Sequence, residues 1–392
     1  MKILCIFPDY FPKVGGIETF NLKIFETLKT KGHKLKLITS KTENKISEPK
    51  EIIRVIKKYN FIQNLKLIIK EINNFKPDVI FLTNAGFSIL SKLTEIPIVC
   101  RTAGNDFKKS WYGPKIPLWE QFYYHPDLQI YPLNKIYTDK NKVSYRSYFA
   151  KKGLKTCIKI ISNSNFVKND LLKIGIETNK IEAVIGGIDT EQFSKSKNYS
   201  EKTFENYQLP KDKKILLTVG HLKSEKNHSQ ILEAIKRLEK LGDIFYLIVG
   251  SGNLKGKIEN EIKALKLENY VKLIEGIKPE NIHKFYQIAD IYIQYSKIET
   301  MGRAICEAMS CRLPVIGSNI GGIPDVIQDG KTGLIAEINN VEDLTEKISR
   351  VLTDSEFREK IAQNAEIYAK ENYSWEVVSN KIETILIEAT KK

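Results

Sequence analysis

No apolar run in the 392 residues is long enough to cross a membrane. Stretches such as DVIFLT and FYLIVG stop well short of the ~18 residues a spanning helix needs. The amino terminus, MKILCIFPDY, places a single lysine before an apolar run that ends at Pro8, too brief for the core of a secretory signal. Cysteine is sparse: Cys5, Cys100, Cys157, Cys306 and Cys311 are an odd number, widely scattered, without the close Cys/His pairs of a zinc site. A reduced, cytoplasmic setting is expected, with Cys5 and Cys100 acting as small hydrophobes in strand-like runs. There is no Asp-x-Asp pair, so no metal is expected, and no cofactor is implied. The dinucleotide fingerprint G-x-G-x-x-G is also missing, which removes support for a nicotinamide enzyme. No zinc knuckle, RNP-like strand or helix-turn-helix signature is present.

Acidic residues are scarce in one half only. Residues 1–197 hold 34 Lys+Arg against 18 Asp+Glu, a net +16, whereas residues 198–392 hold 28 against 29, a net −1. Such a one-sided field favours an anionic surface or ligand beside the first half: phospholipid, lipid-linked phosphate or nucleic acid. With no nucleic-acid motif to accompany the charge, a basic nucleic-acid-binding protein is the weaker alternative and no nucleic-acid partner is expected.

The length fits two domains of ordinary size. KILCIF reads as a strand, after which Ile17, Phe20, Ile24, Phe25 and Leu28 recur at helical spacing until Gly32, and KLKLIT follows as a second strand. Strand, helix, strand with short links predicts a parallel sheet covered by helices. Further strands are predicted at 78–83, 96–100 and 158–163. The polar stretch between Phe193 and Lys211 reads as a hinge. Beyond it the alternation restarts with KILLTVG, FYLIVG, VKLIEG, DIYIQYS and LPVIGS. The fold class is therefore α/β, two tandem doubly wound Rossmann-like domains: 1–197, and 198–372, with a crossover helix at about 373–392 returning to the first.

The densest chemistry lies in residues 295–337. Glu299 and Glu307 are separated by seven residues, and a helix starting near Thr300 would space them about 12 Å apart at ~1.5 Å per residue. That suits a ligand with hydroxyls at both ends and a diphosphate between: a carboxylate accepts two hydrogen bonds from a vicinal diol, and free helix N-terminal amides bind phosphate oxygens. Two glutamates at this spacing also fit a helix cap and a surface residue. The flanking segments, GRAICEAMSCRLPVI, GGIPDVI and DGKTG, decide between them.

In those segments the chain resembles the retaining glycosyltransferases of family 4, which have the GT-B fold of two Rossmann-like domains facing each other across a cleft. The resemblance runs over nearly the whole chain, is strong from 214 to 340 and looser between 100 and 160. It implies transfer of a hexose from a UDP- or GDP-sugar to a glycan or lipid-linked acceptor, of the kind used in surface polysaccharide, glycolipid or glycoprotein glycan synthesis. Glu307 would bind the ribose hydroxyls, Glu299 the sugar, and Thr300, Met301 and Gly302 would bring backbone amides to phosphate and sugar. Arg303, four residues before Glu307, fits either a phosphate contact or an intrahelical ion pair. TVGHLKSEKNHSQIL (218–232) matches a segment whose basic residues clasp the diphosphate; Lys226 keeps the lysine, while His221 stands where arginine is usual. Gly276 and Ile277 would meet the base, or simply end a strand. VGGIETF (14–20) matches an entry loop in which Gly15 and Gly16 would contact the donor, or serve a tight turn.

CRTAGNDF (100–107) lacks the histidine of many relatives, with Ala103 in its place. Asn105 and Asp106 would orient an acceptor or donor hydroxyl, and the resemblance makes Glu299, Lys226 and Asp106 the catalytic candidates. IGGIDTEQF (185–193) is read as structural. A nucleotide-sugar isomerase or phosphorylase of the same shape is a further alternative, disfavoured by the context of the two glutamates and by the lack of a pyridoxal-phosphate lysine setting. Residues 107–149 hold twelve aromatics interleaved with lysines. Tyr and Trp mixed with Lys suit a membrane-water boundary, so residues 107–155 are expected to dock the enzyme peripherally on the anionic inner face of the cell membrane. An aromatic-rich core is the other reading of that stretch.

Overall fold

The computed structural model describes residues 1–12, 15–42, 48–57, 61–104, 106, 145–195, 200–239 and 243–391. Asn105 and most of the aromatic, basic stretch, residues 107–144, lie outside the described residues. The chain divides into two compact units, Met1–Val184 with Ser379–Lys392, and Ile185–Val378.

The first unit is built on a parallel sheet of seven strands: β1 (Lys2–Ile6), β2 (Lys34–Ser40), β3 (Ile52–Ile56), β4 (Val79–Leu82), β5 (Ile98–Thr102), β6 (Lys159–Ser162) and β7 (Ile181–Ala183), in the order β3-β2-β1-β4-β5-β6-β7. Apolar side chains cover both faces, as an all-parallel sheet requires. Leu4, Ile6, Ile80, Leu82, Ile98 and Cys100 share one core cluster. Phe20, Ile24 and Leu28 are buried on the helix Gly16–Thr30. All five cysteines are free and buried, and burial pushes the Cys5 thiol far above its ordinary range. The last helix, Trp375–Ala389, joins this unit from Ser379 onward: Glu383 accepts hydrogen bonds from Lys31 and pairs with His33 Nε2 at 2.7 Å.

The second unit carries a parallel sheet of six strands: β8 (Lys214–Val219), β9 (Ile244–Val249), β10 (Val271–Ile274), β11 (Ile291–Gln294), β12 (Val315–Ser318) and β13 (Leu334–Ala336), ordered β10-β9-β8-β11-β12-β13. Alternation sorts each strand between two cores: Ile215, Leu217 and Val219 enter one cluster, and Leu216 enters the other.

The sequence-based division at 197/198 and the structural division at 184/185 differ. Ile188, Phe193 and Leu209 belong to a core of the second unit, and Phe204 and Tyr207 pack against it. The segment read as a polar hinge therefore contributes a helix, Ser200–Asn206, anchored by those few apolar residues. At the other end the return to the first unit comes at Ser379 rather than at 373. Trp375 sits over Gly187 so closely that a Cβ there would lie 2.5 Å from the ring, which ties the start of the last helix to the second unit.

Among the described residues no helix is long and apolar enough to cross a membrane.

Candidate active site

Two parallel strands, β8 and β11, deliver candidate residues of the second unit to one end of its sheet. After β8 the chain makes Gly220, His221 and a short 3-10 turn, Ser224–Lys226, before Asn227 in the left-handed region (φ 54°) starts the helix His228–Leu238. After β11 it makes the loop 295–302 and then the helix Arg303–Ser310. β8 and β11 are neighbours, so both loops leave the carboxyl ends of adjacent strands, where open α/β sheets place ligands.

There Lys226 and Glu299 meet. Lys226 Nζ donates to Glu299 Oε2 at 2.7 Å, with side chains only 20% and 17% exposed. Gln294 Nε2 donates to the same oxygen at 2.8 Å, and the fully buried Tyr292 donates its hydroxyl to Gln294 Oε1 at 3.0 Å. A second bridge, Lys297 N–H to Glu225 O at 2.7 Å, fastens the two loops through their backbones. Neither partner was visible as a pair in the sequence; they are 73 residues apart.

The helix begins at Arg303, not near Thr300. Gly302 is its N-cap with φ 90°, a left-handed conformation that only glycine adopts freely, and Glu299 lies before the helix. The figure of about 12 Å along a helix axis therefore does not apply to Glu299. Thr300 N–H donates to Glu299 Oε1 at 3.1 Å, so that amide already has an acceptor. The Met301 side chain is core, 8% exposed. Gly302 supplies no side-chain cap, so the first amides of the helix have no side-chain acceptor from it.

Glu307 projects from the same helix. Its carboxylate accepts from Tyr286 Oη at 3.0 Å and from Arg303 Nε at 3.0 Å, so the intrahelical ion pair is formed. The Arg303 guanidinium also lies 5.9 Å from the centre of the Trp375 ring. Burial pushes the Glu307 carboxyl above the usual carboxylate range, partly offset by Arg303 and the Tyr286 hydroxyl. The carboxylate itself raises the Tyr286 and Tyr292 phenols further above the level that burial gives them.

Sequence reasoning missed the cradle beneath Glu299. A Cβ on Gly321 (φ 62°) would lie 1.8 Å from Glu299 O, and one on Gly322 would lie 2.3 Å from Thr300 O. Gly322 N–H donates to Glu299 O at 3.0 Å. The paired glycines of GGIPDVI were the available signal. Gln294 and Tyr286 carried none, being one polar residue at a strand end and one aromatic in a helix.

Three further candidates, His221, Gly276 and Ile277, also lie in the second unit. His221 is exposed, and Gly276 has φ 72° with open space around it, a conformation that accounts for glycine there; Ile277 is partly buried. In the first unit Gly15 is the N-cap of the helix Gly16–Thr30, and nothing stands within 4 Å of a Cβ on Gly16. Asp106 closes a local clip: Ala85 N–H donates to Oδ2 at 2.6 Å and the Thr102 hydroxyl donates to Oδ1. Burial raises its pKa, opposed by those bonds and by Arg101.

Comparison with known proteins follows the same division. The sequence family described as "Glycosyl transferases group 1" matches residues 199–368, and "Glycosyltransferase Family 4" matches 14–192. Alpha-monoglucosyldiacylglycerol synthase of Acholeplasma laidlawii is 22% identical, covering 100% of this chain and 98% of its own. A crystallised glycosyltransferase from Rickettsia africae superposes with a TM-score of 0.77 at 24% identity, covering 100% of this chain and 99% of the other. Anabaena HepE in complex with UDP-glucose gives 0.74 at 16% identity, covering 99% and 100%. For some curated relatives the match is partial: the chain spans 63% of the length of one Methanocaldococcus jannaschii glycosyltransferase, at 25% identity.

Proposed function

The chain belongs to the glycosyltransferases of group 1 and family 4, with their two Rossmann-like domains, and from that premise we propose that it moves a hexose from a nucleotide-sugar to a glycan or lipid-linked acceptor, with retention at the anomeric carbon. The observation that carries the proposal is the half-buried 2.7 Å pair of Lys226 and Glu299 in the loops that follow β8 and β11. In this reading Lys226 turns from Glu299 toward the donor diphosphate, and the start of the helix Arg303–Ser310 takes a phosphate oxygen. Glu299 accepts from sugar hydroxyls, held in place by Gln294. Glu307 accepts from the ribose diol, with Tyr286 and Arg303 fixing its orientation.

In the transfer itself the bond between the anomeric carbon and the diphosphate oxygen breaks, and a bond from the acceptor hydroxyl oxygen forms on the same face. The acceptor proton passes to the departing diphosphate, whose negative charge Lys226 and the helix amides stabilise. Because fixed positive charge from the protein meets the diphosphate, we propose a metal-independent reaction. Two relatives lend support. HepE was crystallised with UDP-glucose, and the name of the Acholeplasma enzyme gives a glucosylated diacylglycerol as its product. The same reading places the enzyme peripherally on an anionic membrane.

The test is a thermal-shift screen against UDP, GDP and ADP and against their hexose conjugates. One nucleoside diphosphate is expected to stabilise the protein, with its hexose conjugate adding to the shift. Absence of any shift across the set refutes the donor site. Proton NMR of the product settles the anomeric outcome, and inversion would remove the retaining assignment. Equal failure to sediment with anionic and neutral vesicles would remove the membrane.

A further inference from the structure

The first unit buries a cation whose Nε has no hydrogen-bond partner. Arg101, the next-to-last residue of β5, is 6% exposed. Its flanking strand residue Cys100 enters the core cluster on one face of the sheet, so alternation sends Arg101 to the opposite face. There its guanidinium lies 3.6 Å over the ring of Phe20, in the first turns of the helix Gly16–Thr30. A guanidinium offers five N–H donors and is rarely buried without a partner. Yet Arg101 Nε makes no hydrogen bond, and among the described residues no carboxylate lies within ion-pairing distance of it. Burial lowers its pKa to about 10, which leaves it charged at neutral pH, and the field of Asp106 opposes that shift only in part. Both Asp106 oxygens are already engaged by Ala85 and Thr102.

Other unmet polar atoms accompany it. The register Leu82 with Cys100 sets Thr83 beside Arg101 on the same face; Thr83 is 7% exposed and its hydroxyl has no partner. Asn21, fully buried and next to Phe20, donates its amide to Asp9 O at 2.6 Å, while its own Oδ1 is unpaired. Thr83 follows β4, Arg101 is near the carboxyl end of β5, and Asn21 lies on the helix that comes after β1. The sheet order reverses between β1 and β4, the place where doubly wound sheets take ligands.

We propose that Arg101, with Thr83, forms an oxyanion subsite in the first unit that receives a phosphate group of the acceptor. The inference rests on the glycosyltransferase reading for the word acceptor; the anion site itself does not. Arg101 supplies paired N–H donors to two phosphate oxygens while its face stays stacked on Phe20, and Thr83 adds a hydroxyl donor. The phosphate belongs either to a soluble phosphorylated acceptor or to a lipid headgroup, two sources of one chemistry.

The experiment follows melting of the full chain with inorganic phosphate against chloride at matched ionic strength, in wild type, Lys226→Met and Arg101→Met. Phosphate is expected to stabilise wild type and Lys226→Met. In Arg101→Met the half-saturating phosphate concentration should rise by about tenfold or more. Its melting point in chloride should equal or exceed that of wild type, because a desolvated charge has been replaced by an apolar chain. Retention of the full phosphate response in Arg101→Met, or its loss in Lys226→Met, overturns the proposal. Should Arg101→Met fail to fold, Arg101→Lys serves instead: it keeps the charge but not the planar fork, and an undiminished phosphate response there also overturns the proposal. Glycerol 3-phosphate and phosphatidylcholine vesicles carrying phosphatidic acid identify the source, as the arm whose response depends on Arg101; no dependence in either arm sinks the acceptor role. A chain that answers phosphate through Arg101 but answers no nucleoside diphosphate would uphold this site and remove the donor reading.

Discussion

Gly321→Ala should damage the candidate active site without touching a residue assigned to chemistry. A Cβ at position 321 would lie 1.8 Å from Glu299 O, against ordinary contacts of 3.4 Å or more, and the obstacle is backbone rather than a flexible side chain. The loop carrying Glu299 must therefore retreat by more than about 1 Å, breaking the 3.0 Å bond from Gly322 N–H to Glu299 O. The left-handed φ of 62° adds roughly 1–2 kcal/mol of strain for a residue with a side chain. With a lost hydrogen bond at about 1 kcal/mol, destabilisation of roughly 2–3 kcal/mol is expected. Displacement of a positioning group by ~1 Å is enough to cost about a hundredfold in rate. Urea melts give the first quantity; kcat/KM of donor turnover, taken where the variant is still folded, gives the second. A variant with wild-type stability and wild-type kcat/KM would refute the argument that this glycine exists to let the Glu299 loop approach.

Further expectations follow from individual contacts. Tyr286→Phe takes one of two donors from the buried Glu307 carboxylate and should cost about 1–3 kcal/mol in a chemical melt while weakening nucleoside diphosphate binding. Glu307→Gln should weaken that binding by about tenfold or more without loss of stability at neutral pH. The Glu307 carboxyl titrates above its usual range, so its contribution to folding is full below the unfolded pKa and is lost as pH rises through the folded one. The stability of wild type relative to Glu307→Gln should accordingly fall between acid and neutral pH; a rise contradicts the shift. Glu383 behaves in the opposite sense. Its hydrogen bonds from Lys31 and His33 hold its pKa low, so its contribution is present above the unfolded pKa and disappears as pH falls through the folded value. Glu383→Gln should cost a few tenths to about 1 kcal/mol at pH 7 and less in acid, read from melts at both pH values. Donor turnover should persist in EDTA, and its abolition would contradict a diphosphate held by Lys226 and helix amides.

The interior of both sheets was legible in the sequence, and their rims were not. KILCIF, KLKLIT, DVIFLT, KILLTV and FYLIVG are nearly continuous apolar runs because central parallel strands are covered on both faces. The three strands not anticipated, β3, β7 and β13, are edge strands; β3 is mostly half-buried and β7 and β13 have three residues each, too little to make a run. The hinge reading failed for a related reason: Phe204, Tyr207 and Leu209 anchor a short helix from within a polar stretch, and isolated apolar residues have no period.

At the candidate site the legible part was what lies on one segment. Glu299, Gly302, Arg303 and Glu307 fall within nine residues, and their order carried the resemblance. Contacts made across the sheet left no mark in the chain: Lys226 with Glu299, Tyr286 with Glu307, Gly321 beneath Glu299. The same holds for Arg101, which reads as one more basic residue in a basic half until the structure shows it buried with its Nε unpaired.

The central claim is that the Lys226 and Glu299 pair opens to a nucleotide-sugar and carries its transfer. Release of nucleoside diphosphate from whichever donor stabilises the protein tests it most directly, measured for wild type, Lys226→Met and Glu299→Gln. Both variants are expected to fold and to lose about a hundred- to a thousandfold in kcat. Folded variants that turn the donor over at the wild-type rate would contradict the account.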